Sequence, residues 1–186
     1  MVPVTALWLP ILLSAILVFV VSAIIHMLTP WHKSDIRRLS NEDGVMTALR
    51  PFHLPPGEYA MPWAGSMEGM NTPEFKARAA AGPIVHMTVL RPGDMSMAGP
   101  LAWWFVYSVV VSIFAGYLAG AALPMGVPYL EVFRFAGTTA FAAYSMALMQ
   151  NSIWWKRSWG MTIRSMIDGL VYACVTAGVF GWLWPR

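Results

Sequence analysis

Apolar and polar positions divide the chain into four long hydrophobic runs, with one long polar stretch between the first and second runs. Each run is long enough to cross a bilayer as a helix, because a hydrocarbon core of about 30 Å needs about 20 residues at 1.5 Å per residue. Strands are excluded because an unpaired sheet edge cannot face lipid. The four predicted transmembrane helices cover residues 6–28, 101–123, 129–150 and 163–184.

The predicted fold class is therefore an all-α membrane protein with four transmembrane helices and a small α+β insertion between helices 1 and 2. Residues 1–29 hold the first helix, residues 30–100 form the insertion, and residues 101–186 hold the other three helices, which we expect to pack with the first as one bundle. The first run lacks the basic start and the small-residue cleavage site of a secretory signal, so we expect it to remain as an anchor.

Capping and turn signals predict that the insertion is folded. An N-cap pattern beginning at Ser40 opens a short helix that ends near Arg50. A second helix begins at Asn71-Thr72, with Pro73 in its first turn, and stops at Gly82. A ribbon and two helices of this size are too small to fold alone, so we expect them to lie against the cytoplasmic end of the bundle. The two segments with strand character are residues 57–61 and 84–90.

Basic residues near the ends of the runs predict the orientation, because Lys and Arg side chains resist translocation. Only Arg134 and Arg186 lie on the side opposite the insertion. Both termini are therefore expected outside, with residues 30–100 in the cytoplasm. The basic residues near the span ends on the side of the insertion are Lys33, Arg37, Arg38, Arg91, Lys156, Arg157 and Arg164.

Composition agrees with a membrane location, since 58% of the residues are hydrophobic and only 11% are charged. The net charge of +3 does not indicate nucleic acid, because the basic residues cluster beside the membrane ends and form no stripe with aromatic residues. The lipid bilayer, with its anionic headgroups, is the expected partner. The single cysteine, Cys174, excludes an intrachain disulfide and a Cys-based zinc site.

Ionisable residues near the ends of the spans are candidate functional residues, because charge in hydrocarbon is costly. Counting along the helices from Trp184 and from Trp8 places Asp168 and His26 about 24 Å and 27 Å inward, near the same cytoplasmic boundary. A polar cluster there has two explanations: a small site that holds a cation or proton, or an Arg164–Asp168 pair in the headgroups, which we favour. The other candidate members are Tyr107, Gln150 and Asn151.

Two further groups of residues attract attention. Glu131 and Arg134 have the spacing of a pair at the end of a helix.

Thioether and imidazole groups in the insertion suit copper, although their spacing repeats no ligand pattern. No cofactor is therefore predicted, and a metal ion stays an alternative. The candidate metal ligands are His32, His53, His86, Met67, Met70, Met95 and Met97.

Three segments of the chain resemble a group of uncharacterised bacterial inner-membrane proteins. They are the sequences Pro-Trp-His-Lys-Ser-Asp from Pro30, Val-Phe-Arg-Phe-Ala-Gly from Val132, and Thr-Ala-Gly-Val-Phe-Gly-Trp-Leu-Trp-Pro from Thr176. The resemblance covers most of the chain and implies four spans in the bacterial inner membrane. It carries no assigned activity and no catalytic residue.

The chain contains no phosphate-binding glycine loop, no nucleophile elbow and no pair of facing haem ligands. No residue therefore indicates an enzyme activity. The preferred interpretation is a non-catalytic accessory or scaffold subunit of a larger membrane complex, bound to a membrane-protein partner or to a second copy of itself. The alternative is a protein that binds or transports a metal ion or small solute. It would use His26, Asp168 and the Met- and His-rich insertion.

Overall fold

A computed structural model describes the whole chain, Met1–Arg186, as a mostly helical protein that forms two compact units. The first unit contains Met1–Arg37 and Ser96–Arg186, and the second contains Arg38–Met95. The helices are α1 (Trp8–Ala23), α2 (Glu42–Leu49), α3 (Met67–Met70), α4 (Pro73–Ala81), α5 (Ala98–Ala122), α6 (Tyr129–Ser145), α7 (Met149–Ile153) and α8 (Trp159–Trp182), and the strands are β1 (Gly57–Met61) and β2 (Val85–Val89).

Three helical segments are long and apolar enough to cross a membrane: Val4–Leu28, Ala98–Ala122 and Trp159–Trp182. Each lies within about one helical turn of a predicted span. The first combines α1 with a 3-10 turn before it and a π-turn, Ile24–Leu28, after it. The structure therefore confirms three of the predicted segments as helices long and apolar enough to span a membrane.

The remaining predicted span, residues 129–150, is not one continuous helix. Helix α6 has 17 residues, and at 1.5 Å per residue it is about 25 Å long. Ser145 then leaves helical geometry, and a 3-10 turn, Met146–Leu148, leads into the short helix α7. This fourth span is therefore not confirmed, because the break leaves α6 shorter than the hydrocarbon core.

Helices α1, α5, α6 and α8 pack together as a bundle, in which α6 lies against α5 and α8, and α1 lies against α5 and α8. Small side chains let the helices approach closely. At Gly116, for example, a Cβ atom would lie only 3.1 Å from the ring of Phe180. The buried alanines of these helices are Ala15, Ala115, Ala119, Ala136, Ala140, Ala173 and Ala177.

The second unit has the predicted elements with small shifts at their ends. Asn41, not Ser40, caps α2, and its side chain accepts a hydrogen bond from the Gly44 amide. Thr72 caps α4 by accepting from the Phe75 amide. Strands β1 and β2 pair in antiparallel register, while the short helix α3 was not predicted. No residue in Arg38–Met95 is buried, so this unit has no hydrophobic core of its own.

The boundary between the units differs from the predicted insertion at residues 30–100. Residues up to Arg37 belong to the helical unit. The segment up to Arg37 belongs there because three of its residues form hydrogen bonds to α8 or to a residue bonded to α8. These residues are Trp31, His32 and Asp35. The first predicted span is thus followed by a short segment that folds back onto the last helix.

Candidate metal centre at the end of the first span

Asp168, the tenth residue of α8, is a buried carboxylate with 4% of its surface exposed. Its Oδ1 accepts a hydrogen bond from the Trp31 indole nitrogen at 3.0 Å, and its Oδ2 accepts one from His32 Nε2 at 2.7 Å. Both oxygens therefore have a partner from the segment after α1. These bonds compensate the cost of burying a charge, which is large for an unpaired carboxylate.

His32 lies between two carboxylates. Its Nδ1 donates to Asp35 Oδ2 at 2.6 Å, while its Nε2 donates to Asp168. Burial acts to lower the pKa of His32, but the hydrogen bonds to Asp35 and Asp168 outweigh it and raise the pKa. The imidazolium form is favoured because a carboxylate can only accept, so both ring nitrogens must carry a proton.

Asp35 is fixed in turn by Arg164 of α8. Arg164 Nε donates to Asp35 Oδ1 at 2.8 Å, and its Nη2 binds the same oxygen. Burial acts to raise the pKa of Asp35, but the hydrogen bonds with His32 and Arg164 outweigh it and lower the pKa. The chain Asp168, His32, Asp35, Arg164 thus alternates negative and positive groups from two elements.

His26 lies in the π-turn that ends the first span. Its Nδ1 is 3.0 Å from the Ser22 carbonyl oxygen, and because a carbonyl only accepts, Nδ1 carries the proton. In the neutral imidazole, this tautomer has an unshared electron pair on Nε2. The His26 ring stacks on His32, with 4.5 Å between centroids and 9° between planes. π-Turns within helices are frequent at functional sites.

The ligand atoms of His26, His32 and Asp168 all lie within 4.8 Å of one another. Two imidazoles and one carboxylate form a common ligand set for divalent transition metals. In such sites the second ring nitrogen usually donates to a carboxylate or carbonyl, which sets the tautomer. Here Asp35 accepts this hydrogen bond from His32 Nδ1, and the Ser22 carbonyl oxygen accepts it from His26 Nδ1.

Binding one ion would need two small adjustments. With metal–ligand bonds of about 2.1 Å at a tetrahedral angle, ligand atoms lie about 3.4 Å apart, whereas His32 Nε2 and Asp168 Oδ2 are 2.7 Å apart. Moreover, one ion cannot lie in the planes of two parallel rings, so one ring must tilt. His26 is exposed and has one hydrogen bond, so it is the ring free to move.

A cavity of about 290 Å³ adjoins these ligands. Its walls come from the segment after α1 and from the first turns of α8. This cavity gives an ion coordinated by the three side chains access to solvent or to a small ligand. Its lining residues are His26, His32, Lys33, Asp35, Ile36, Met161 and Ser165.

The structure brings together three of the residues predicted for a polar cluster: His26, Asp168 and, through Asp35, Arg164. Arg164 forms its ion pair with Asp35 and none with Asp168. No hydrogen bond connects the other three predicted members to this cluster. Tyr107 instead donates to the Ala143 carbonyl oxygen at 2.7 Å. Gln150 is exposed and Asn151 half-buried in α7.

The other predicted groups do not form sites. Glu131 and Arg134 are both exposed and form no ion pair within 4.0 Å, because long solvated side chains gain little from such a contact. Among the candidate metal ligands, only His32 belongs to a group of three close His, Cys, Asp or Glu side chains. His53, His86, Met67, Met70 and Met95 lie in the second unit, and Met97 is an exposed residue just before α5.

Trp31 and Asp35 are the site residues that the sequence analysis missed. Their partners in α8 lie 137 and 129 positions away, so no local pattern reveals the contacts. The available signal was the equal depth of His26 and Asp168, together with the polar sequence Trp-His-Lys-Ser-Asp beginning three residues after the first span.

No protein-family model, no curated protein and no solved structure matches this chain. The fold and the cluster therefore define only a class: a mostly helical protein with three helices long and apolar enough to span a membrane, and a His2Asp group at the end of the first one.

Proposed function

We propose that this protein binds a divalent transition-metal ion through His26, His32 and Asp168. The proposal rests on the closeness of the three ligand groups and on the hydrogen bond that holds each Nδ1, because these bonds leave the Nε2 atom of each ring to coordinate an ion once His32 has lost its second proton. Metal binding releases that proton, as is usual for histidine ligands.

The ligand types indicate which ions fit. Imidazole suits zinc, iron, nickel and copper, whereas Mg²⁺ and Ca²⁺ prefer oxygen ligands, and the closed tetrahedral Cys sites of structural zinc are excluded by the distant single thiol. Three protein ligands leave at least one coordination position for water or substrate. The adjoining cavity, which His26 and His32 line, would give that position access to solvent, so we propose an exchangeable or reactive metal and not a structural one.

Metal titration of the purified protein tests this proposal. The protein is stripped with chelator in mild detergent and titrated with Co²⁺, which reports its ligands by visible absorption. We expect one equivalent to bind, and His26→Asn and Asp168→Asn to weaken binding by at least about 10-fold, since even residues behind the ligands typically contribute 10- to 100-fold.

Two matched controls carry the same chemical changes on exposed residues of the second unit, His53→Asn and Asp94→Asn. They should bind Co²⁺ as the wild type does. A wild type that binds no Co²⁺, or a loss that the controls share, would contradict the proposal. The cluster would then serve only to fasten the segment after α1 onto α8.

The second candidate function is an accessory or scaffold subunit of a larger membrane complex. It is favoured by the second unit, in which large apolar side chains remain exposed: Phe52 by 70%, Trp63 by 73% and Ile84 by 65%. Exposed apolar groups without a core beneath them are typical of surfaces that bind a partner. Purification in mild detergent through a C-terminal tag should then recover a stoichiometric partner, and the Trp63→Ser variant should lose it. Recovery of the protein alone argues against this function.

The proposed membrane arrangement has four spans, outside termini and residues 30–100 in the cytoplasm, in a bacterial inner membrane. Support comes from the packing of α6 between α5 and α8 and from the excess of Lys and Arg beside the insertion. The bacterial setting follows from the resemblance described above. A green fluorescent protein inserted near residue 65 should fluoresce in the cytoplasm, whereas alkaline phosphatase at the same position should be inactive. The reverse result would invert the topology.

A further inference from the structure

The cavity beside His26 and His32 is lined by both polar and apolar residues. Besides the two histidines, Lys33, Asp35 and Ser165 are its polar lining residues, and Ile36 and Met161 are its apolar ones. Lys33 is exposed, and its ammonium has no hydrogen bond or ion pair in the structure. A free cation in a cavity that already contains histidines indicates a site for an anion.

The formal charges around the cavity also favour an anion once a metal ion is bound. Asp35 and Asp168 contribute two negative charges, and Arg164 contributes one positive charge. Lys33 adds one more, and a divalent ion adds two, so the group carries a net charge of about +2 with both histidines neutral. Such a site is electrostatically complementary to a dianion that can also occupy an open metal position.

Depth in the membrane favours one class of anion. Lys33 lies five residues beyond Leu28, where the first candidate span ends. In the proposed membrane arrangement this position is at the level of the lipid headgroups, where Lys and Arg side chains meet anionic phosphate. The apolar lining residues of the cavity suit the carbon atoms attached to such a group.

We propose, as an extension of the proposed metal site, that the cavity binds a phosphate monoester group, with one oxygen on the metal ion and another on the Lys33 ammonium. Two sources share this chemistry: a lipid headgroup such as phosphatidic acid, and free phosphate or a small water-soluble phosphate ester. Ser165, whose side chain carries a hydroxyl group, also lines the cavity.

Coupled titrations test the proposal. Co²⁺ affinity of the full-length protein is measured in phosphatidylcholine nanodiscs, first without phosphate and then with inorganic phosphate. In a third titration the nanodiscs contain phosphatidic acid and the buffer contains no phosphate. Because two ligands that share contacts typically change each other's affinity 5- to 150-fold, we expect phosphate groups to tighten Co²⁺ binding by at least about 5-fold.

The Lys33→Gln variant should lose most of this tightening. The control Lys156→Gln removes the same charge from a residue that does not line the cavity, and it should retain the tightening. Tightening by inorganic phosphate supports a soluble ligand, whereas tightening by phosphatidic acid alone supports a lipid headgroup.

Co²⁺ binding that neither source changes, or a tightening that survives Lys33→Gln, overturns the phosphate site and leaves the metal site standing. If the wild type binds no Co²⁺ in phosphate-free nanodiscs, the metal site itself fails, and this inference fails with it.

Discussion

The ion pair between Arg164 and Asp35 joins the segment after α1 to α8, so its energy measures how firmly the candidate site is assembled. The Arg164→Gln and Asp35→Asn variants remove one charge each while keeping polar side chains of similar size. A double-mutant cycle with both changes isolates the interaction from the other contacts of the two residues, including the bond of Asp35 to His32.

The burial of this ion pair is intermediate between that of a fully buried pair and that of an exposed one. The Asp35 side chain is 7% exposed and that of Arg164 is 25% exposed. Two donors of Arg164 share one acceptor oxygen, so we count them as one charge-assisted hydrogen bond, which contributes about 1.5–3 kcal/mol. The expected coupling energy is therefore about 1.5–3 kcal/mol, less than the cost of breaking a fully buried pair.

Equilibrium unfolding in mixed micelles, with increasing sodium dodecyl sulfate, provides the measurement. Arg38 and Glu42 supply the control, since they form an ion pair at 3.2 Å whose side chains are 88% and 51% exposed. The same cycle on this pair should give about 0.5 kcal/mol or less. A coupling of that size for Arg164 and Asp35 would refute the reasoning, because it would mean that this ion pair holds the segment on α8 no more strongly than an exposed pair would.

Two other contrasts follow from the packing. A Cβ atom at Gly169 would overlap side chains of α6, so Gly169→Ala should destabilise the bundle by about 1–3 kcal/mol in the same unfolding assay, whereas Gly99→Ala, with no atom near, should not destabilise it. The Tyr172 hydroxyl is buried without a partner, so Tyr172→Phe should be neutral or stabilising, while Tyr107→Phe should cost about 1 kcal/mol because it removes a bond to a carbonyl oxygen. Equal effects within either pair would contradict the corresponding argument.

Local signals in the sequence predicted the elements of the second unit closely. Thr72, followed by proline, and Gly82 set the ends of α4, and strand propensity predicts both β1 and β2. Such features depend on neighbours along the chain, so they can be read from the sequence. The three continuous spans were predictable for the same reason, because length and hydropathy are local properties.

The break after Ser145 and the composition of the site were not predictable. No proline or glycine lies within Met146–Leu148 to signal a break, and the helical geometry is lost at a buried serine. The contacts of Asp168 depend on how α1 and α8 pack and on the path of the segment that follows α1. Depth alone brought His26 and Asp168 to one level, but it could not show that His32 would lie between them.

The π-turn at Ile24–Leu28 determines where the His26 imidazole lies. A π-turn takes up about one residue more than an α-turn, and each residue of an α-helix rotates the chain by about 100°. A regular helix would therefore carry the ring to another side of the helix, away from the neighbour on which it stacks. Shortening this turn by one amino acid would thus rephase everything beyond it, and the ability to assemble the three-ligand group depends on that single surplus residue.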